Sequence, residues 1–318
     1  MNRPRQPSFE VRVPASTANL GAGFDCFGLA LELFLKVRAT VLSGKGNRSS
    51  VRSRGARGSA QLARAPEQNL IFRALQDTAN REGFTVPPVR LDVYNDIPVA
   101  SGLGSSAAAI VAGIGLSFAL AGRKVAQEAA LRIAFELEGH ADNAAAALLG
   151  GLVVTAPRSD GSIVALRRPW PREIRIVAVT PELSVETKRA RAVLPEKVSR
   201  EAAVLNLQRS ALLIAALAEK RFDLLWDALQ DGLHQDCRAA LIPGLREILR
   251  MPRAPGLLGL ALSGSGPSVV ALATDHFAEI GKSIGEQFAR HHLASTVRCL
   301  AVCGSGLTIG DTGRRGRN

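Results

Sequence analysis

The chain has 318 residues, and a prior of roughly 150 residues per domain predicts two domains, each long enough to bury its own core. Lys and Arg number 40 against 28 Asp and Glu, a formal net charge of +12, with 47% hydrophobic and 21% charged residues. That balance excludes a disordered, collagen-like or low-complexity scaffold.

Strand-like alternation opens the chain at residues 9–13 and returns at 31–42. Between them and a third β-rich run at 89–94, Leu70, Ile71, Ala74, Leu75, Thr78 and Ala79 recur at helical spacing. Three helices follow at 105–121, 126–137 and 143–149, and Gly150-Gly151 introduces a strand at 152–155. The Arg- and Pro-containing segment 158–172 is the expected domain boundary. Beyond it the pattern reads strand 174–179, helices 201–218 and 222–229, paired strands 257–262 and 269–273, helix 277–290 and strand 296–302. Strand, helix, strand, strand, helix, strand is the split βαβ order of a ferredoxin-like domain. The expected division is 1–165, 166–306 and a basic tail over 307–318.

Four scattered cysteines without a CxxC pair fit a reducing cytoplasm better than a secreted disulfide framework. The first residues carry positive charge but lack the apolar core of about 7 or more residues that a signal peptide needs. The apolar run 107–121 falls short of the roughly 20 residues of a membrane span and reads as a buried helix. Positive charge suggests nucleic acid, yet its distribution argues otherwise. Lys45, Arg48, Arg52, Arg54, Arg57 and Arg64 lie in a Gly/Ser-rich stretch without aromatic residues, and Arg314, Arg315 and Arg317 in the last five positions. With one Tyr and two Trp in all, base-stacking platforms are missing, so these read as a solvated loop and tail. Neither a nucleic-acid nor a membrane partner is expected.

The strongest chemical signal is the run Pro98, Val99, Ala100, Ser101, Gly102, Leu103, Gly104, Ser105, Ser106, Ala107, Ala108. Its glycines allow close backbone approach, its serines offer hydroxyls, and an Ala-rich helix starts at once, presenting unpaired N–H groups to an anion. It is built to hold phosphate. No Lys follows the glycines, so it is not a Walker A loop. Gly281-Lys282-Ser283 mimics that ending but has His276 where the first Gly belongs.

Two further polar clusters interrupt apolar surroundings: residues 16–25 (STANLGAGFD) and 136–143 (ELEGHADN). Helix caps alone would use only one or two of these side chains. A third glycine loop, LSGSGPS at 262–268, is longer than a tight hairpin requires.

Together VPASTANLGAGFD, DIPVASGLGSSAAA, EGHADN and LSGSGPS resemble, in order and spacing, the motifs of the galactokinase, homoserine kinase, mevalonate kinase and phosphomevalonate kinase superfamily. The first motif is most similar to that of homoserine kinases: Ser16-Thr17-Ala18-Asn19 stands where sugar and mevalonate kinases usually have a Lys. The resemblance runs from about residue 9 to 303. It implies an α+β chain, a ribosomal protein S5 domain 2-like N-terminal domain followed by a ferredoxin-like C-terminal domain. It also implies ATP-dependent phosphorylation of the L-homoserine hydroxyl to O-phospho-L-homoserine in threonine biosynthesis. ATP and Mg²⁺ are the implied cofactors, in the cytoplasm, and a homodimer is implied without an assignable surface. The alternatives are another small alcohol as substrate, or a basic nucleic-acid-binding protein.

Carried over by motif, Asn19, Asp25, His140, Asn143, Thr187, Arg191 and Arg238 bind homoserine. Asp25 meets the ammonium, the two arginines the carboxylate, and Asn143 the attacking hydroxyl. Residues 98–108 bind the ATP phosphates. Ser106 and Glu138 hold Mg²⁺, with Glu136 as the second choice for the acid. The resemblance also suggests Asn69 for adenine, whereas its position before a helix suggests a cap. Two departures are Asp236-Cys237 in place of Pro-Tyr before Arg238, and Ala141 in place of Pro. Phosphoryl transfer through a loose transition state asks for positioning and charge neutralisation rather than a strong base, so Ser106, Glu138 and Asn143 are expected to catalyse by placement.

Overall fold

The computed structural model describes residues 6–44, 46–54 and 65–311. Two sheets organise it, and the chain visits the first one twice.

β1 (Ser8–Asn19) and β2 (Gly23–Val41) form a long antiparallel hairpin. Leu35, Lys36, Val37, Arg38 and Ala39 alternate buried and exposed, the period-2 pattern of a half-buried strand. Residues 13–19 of β1 and 27–31 of β2 are buried without alternation, because this end is covered on both faces. The outer half of β2 pairs with β4 (Val89–Asn95), and β4 pairs in parallel with β3 (Ser50–Arg54). The inner half of β2 pairs with β5 (Leu152–Pro157), which pairs with β6 (Ile163–Arg168).

Four helices accompany this sheet. α1 (Leu70–Glu82) is capped by Asn69, whose side-chain oxygen accepts from the N–H groups of Ile71 (3.1 Å) and Phe72 (3.2 Å). That settles its capping role at this atom. α2 (Ser105–Leu120) is apolar all round and buried at every position from 107 to 119, as a central helix must be. α3 (Gln127–Glu138) ends at Gly139 in the left-handed conformation, and α4 (Asp142–Leu149) follows after three residues.

The second sheet contains β7 (Arg175–Pro181), β8 (Leu257–Leu262), β9 (Val269–Ala273) and β10 (Ser295–Leu300), all antiparallel in the order β10-β7-β9-β8. Between β7 and β8 lie α5 (Thr187–Ala192), α6 (Arg200–Ala218), α7 (Leu225–Ala228), α8 (Gln235–Arg238) and α9 (Leu245–Leu249). α10 (Phe277–Arg290) buries Ile280, Ile284 and Phe288, four residues apart on one face. By length and composition α6 could cross a membrane. Here it is part of the folded body, since Asn206 and Ser210 both donate to the Ala22 carbonyl (3.1 and 2.9 Å).

Several expectations are corrected. The supposed loop around Arg52 contains β3, where Val51 is buried against the sheet; Lys45 and residues 55–64 lie outside the described residues. The supposed boundary 158–172 contains β6, which completes a hairpin with β5. Residues 301–311, divided in the reading between the second domain and a tail, return to the first sheet. Glu32 N–H donates to Ala301, Cys303 N–H to Ala30, and β11 (Thr308–Asp311) pairs with β1. Four exposed residues, Thr308, Ile309, Gly310 and Asp311, carry no alternation signal, and it is the open edge of β1 that supplies their hydrogen bonds. Residues 312–318 lie outside the described residues.

Candidate active site

The four singled-out segments, 16–25, 98–108, 136–143 and 262–268, meet along one seam. Ser16 N–H donates to the Leu103 carbonyl (3.2 Å), Gly264 N–H to Ala18 (3.2 Å), and Ser268 N–H to Ser101 (3.0 Å). Side chains add to the seam: Ser263 Oγ donates to the Gly102 carbonyl (2.7 Å) and lies 2.8 Å from Thr17 Oγ1. Asn19 Nδ2 donates to the Gly264 carbonyl (3.1 Å), and Ser16 Oγ to Asn143 Oδ1 (2.9 Å). Residues 16–19, read as loop, are the buried end of β1, and the turn proper begins at Asn19 with φ +73°.

Gly104 is the residue before α2, at φ +69°, and a β-carbon there would collide with the Ser16 hydroxyl. Having no side chain, it caps nothing, and no side-chain cap hydrogen bond is made at this helix start among the described residues. The first-turn N–H groups therefore face the cavity free for an anion, together with the positive end of the helix dipole.

Ala100, Ser101, Gly102, Gly104, Ser105, Ser106 and Ala107 line one wall of that cavity. Asn19, Asp25, Glu138, His140, Asn143, Thr187, Arg191 and Arg238 line the rest. Four expected phosphate contacts are not brought to it. Leu103 and Ala108 are fully buried, Leu103 as the anchor of the loop and Ala108 in the first turn of a core helix. Pro98 and Val99 precede the loop, where Val99 is exposed and the Pro98 carbonyl accepts from Ser101 Oγ (2.8 Å). The expectation that all of 98–108 lines the site is thus narrowed to 100–107 without Leu103.

The acidic side of the cavity is tightly wired. Asp142 is 2% exposed, and its Oδ1 accepts from Asn143 N–H (2.6 Å) and lies 2.8 Å from His140 Nδ1. Burial pulls the His140 pKa down, but the hydrogen bond and charge of Asp142, with the charge of Glu138, outweigh it and leave it raised. Burial raises the Glu138 pKa, against the charge of His140 and a hydrogen bond with Ser106. Glu138 Oε2 is buried with no hydrogen-bond partner. Glu136, the second choice for that acid, instead faces outward and pairs with Arg81 and Arg132. An orphaned carboxylate oxygen beside a serine hydroxyl at an uncapped helix start is a donor set that suits Mg²⁺, which needs only one or two protein oxygens. No cluster of three or more His, Cys, Asp or Glu suited to a metal exists among the described residues.

The cationic side differs from expectation in one respect. Arg191 is not a free guanidinium: it donates to both oxygens of Asp25, at 3.0 and 2.6 Å, and that hydrogen bond raises its pKa. Arg238 is 2% exposed, and burial, helped by the charge of Arg191, lowers its pKa to about 10. Phe24 lies between them, its ring 5.5 Å from the Arg191 guanidinium and 5.4 Å from that of Arg238. Thr187 Oγ1 stands 3.3 Å from Ser265 Oγ at the rim.

Sequence reading missed Asp142 as more than a cap, Ser16 as the partner of Asn143, and Gly264 and Ser265 as lining residues. The polar runs that contain them were the available signal.

Comparison with known proteins bears on this geometry directly. Residues 69–151 match the family model described as GHMP kinases N terminal domain, and residues 213–290 match GHMP kinases C terminal. A homoserine kinase from Solibacter usitatus is 41% identical over 296 residues, spanning 92% of this chain and 94% of the relative. The chain belongs to the homoserine kinase family. A second homoserine kinase, from Deinococcus radiodurans, is 43% identical over 270 residues, 85% of each chain. The crystal structure of homoserine kinase from Cytophaga hutchinsonii superposes with a TM-score of 0.84 at 29% identity, covering 98% of this chain and 99% of that one. The phosphate loop, Glu138 and Asn143 fall inside the N-terminal match, whereas Asn19, Asp25, Thr187 and Arg191 fall outside both matches.

Proposed function

We propose that the protein transfers the γ-phosphoryl group of ATP to the side-chain hydroxyl of L-homoserine, giving O-phospho-L-homoserine and ADP for threonine biosynthesis. The observation that carries this is one cavity with an uncapped helix start on one wall and Asn143, Asp25, Arg191 and Arg238 on the other. The fold class that goes with it is S5 domain 2-like for the first body and ferredoxin-like for the second, supported by the strand order β10-β7-β9-β8. A homodimer completes the reading on resemblance alone, whereas a cytoplasmic location and the expectation of no membrane or nucleic-acid partner rest on the scattered cysteines, the short apolar runs and the distribution of charge.

Homoserine brings a carboxylate, an ammonium and a primary hydroxyl. Arg238 is the carboxylate's main partner in this reading, because Arg191 already spends two donors on Asp25. Asp25 keeps lone pairs on both oxygens for the ammonium while it steadies Arg191. Asn143 orients the attacking hydroxyl. Its own amide is fixed by Ser16, and at 9% exposure it has little room to turn. His140 lines the same cavity and is held by Asp142, whose hydrogen bond and charge outweigh burial and shift it toward the protonated form.

The α2 N-terminus cradles the phosphates. Ser106 and Glu138 would hold Mg²⁺, which when bound neutralises charge on the phosphate oxygens. No residue here needs to be a strong base: orientation of bound reactants can remove about 7–11 kcal/mol of barrier, more than a general base supplies. Asn143→Asp checks this. A rate gain of orders of magnitude at neutral pH would show that base strength, not placement, limits the reaction.

One assay tests the whole reading: ADP release with homoserine, mevalonate, galactose or RNA as the sole addition to enzyme, ATP and Mg²⁺. Turnover with homoserine alone is expected. Turnover with another alcohol, or polyanion binding without any turnover, would replace it.

A further inference from the structure

The environment of Arg238 points to a residue with no assigned role. Its guanidinium has five N–H donors. Nε donates to the Ala190 carbonyl (3.2 Å), and Nη1 faces both the Gly264 carbonyl (2.8 Å) and His234 Nδ1 (3.1 Å). Those three contacts use the donors on Nε and Nη1. The two on Nη2 remain, on a side chain that lines the cavity.

For Nη1 to donate to His234, Nδ1 must carry no proton. His234 Nε2 lies 2.9 Å from the Gly21 carbonyl, which only accepts, so the proton must sit on Nε2. The imidazole is therefore neutral and locked in one tautomer by groups on opposite sides. It is fully buried, and the Phe24 ring lies 5.2 Å from its own. Asp231 is the nearest acid, 3.7 Å from Nε2, and is itself held by the backbone N–H groups of His234 and Gln235 (2.9 and 2.8 Å). Buried hydrogen bonds that leave one geometry available preorganise whatever they touch.

We propose that His234 is a positioning residue for the homoserine carboxylate: it fixes the Arg238 guanidinium so that Nη2 alone is presented to the substrate. The proposal rests on the reading of Arg238 as the carboxylate's partner. Without the Nδ1 acceptor, Nη1 loses one of its two partners and the planar fork can swing, carrying Nη2 with it.

Two variants separate positioning from packing. His234→Asn puts an amide oxygen near the place of Nδ1 and keeps the acceptor for Arg238. His234→Gln reaches toward the Gly21 carbonyl and keeps that tie, but loses the acceptor. The readout is the ratio of kcat/KM for homoserine to that for 3-aminopropan-1-ol, the same molecule without the carboxylate. Because both values come from one preparation, the folded fraction cancels.

His234→Gln is expected to narrow this preference about tenfold or more and to raise the KM for homoserine with the KM for ATP unchanged. His234→Asn is expected to retain most of the preference. If His234→Gln keeps the wild-type ratio, or Asn is worse than Gln, the proposal is overturned. Arg238→Met distinguishes the two levels. If its ratio stays that of wild type, the reading of Arg238 fails and the proposal with it; if it collapses the ratio while His234→Gln does not, His234 alone is excluded.

Discussion

Arg191 and Asp25, 166 residues apart in the chain, form a two-point ion pair that closes one end of the cleft between the two sheets. Each side chain is about a third exposed, at 35% and 36%, so solvent screening leaves the pair well under about 1 kcal/mol of folding stability. On the proposed reading, its value lies in holding a guanidinium and a carboxylate where the zwitterionic substrate would bind. Asp25→Asn is expected to leave thermal unfolding within about 2 °C of wild type. It should raise the KM for homoserine about tenfold or more, with little change in the KM for ATP. Steady-state kinetics with each substrate varied in turn, alongside a thermal melt, checks both halves.

Glu138 should show stability and activity moving in opposite directions. Its pKa is raised, chiefly by burial, so the folded state favours the protonated form. The stability this provides is full below the ordinary carboxylate pKa of about 4.3 and is lost as pH rises through the raised value. At neutral pH a buried charge with an unpaired oxygen is therefore a cost that Glu138→Gln removes. The variant is expected to melt at or above the wild-type temperature without Mg²⁺, while turnover with Mg²⁺ falls at least about a hundredfold. A variant that melts lower yet keeps its rate would refute the assignment.

Two glycines with nearly the same backbone separate strain from contact. Gly83 ends α1 at φ +68° with open space where a β-carbon would go, and Gly104 starts α2 at φ +69° against the Ser16 hydroxyl. Gly83→Ala carries only the left-handed backbone term, about 1–2 kcal/mol, and should leave kinetics unchanged. Gly104→Ala carries that term plus the collision, and Ser16 in turn holds Asn143. It should unfold at lower denaturant than Gly83→Ala and lose ATP affinity and rate together, as urea titration and kinetics on both proteins will test.

The buried His234 gives the fold an acid-side limit. Burial, aided by the Arg238 charge and opposed by Asp231, Asp25 and the Gly21 carbonyl, lowers its pKa. An unfolded histidine titrates near 6.5, so below that pH the unfolded chain binds a proton the native one refuses. Stability from this group is full above about pH 6.5 and declines as pH falls toward the depressed native value. Chemical denaturation at pH 7.5 and 5.5 should show a larger loss for wild type than for His234→Gln. Equal losses would mean that this histidine does not govern the decline.

Much of this was legible in the residues. The helix starting at Ser105 announced itself by an abrupt change from Gly and Ser to unbroken Ala, Ile and Val, and α10 by apolar residues four apart. Residues lining the cavity were legible where polar groups crowd an apolar context, as at Glu138, His140 and Asn143. What stayed hidden depends on distant partners. β3 and β11 are short strands whose hydrogen bonds come from the edges of β4 and β1, so nothing local marks them. The engagement of Arg191 by Asp25 was equally unreadable, because two residues each matched to the substrate can also match one another. Ser16 is a small hydroxyl in a run of small residues, and only its 2.9 Å contact with Asn143 reveals its part.

The return of residues 301–311 to the first sheet bears on how the molecule is made. Phe9 and Val11 pair with Asp311 and Ile309, so the edge of the first body is filled by residues that follow every strand of the second. The second body, its four strands complete by Leu300, takes no strand from β11, whereas the edge of the first stays bare until β11 docks. The first body therefore takes its closing strand from the far side of the second, and a chain cut before Thr308 would expose β1 as an unmatched edge.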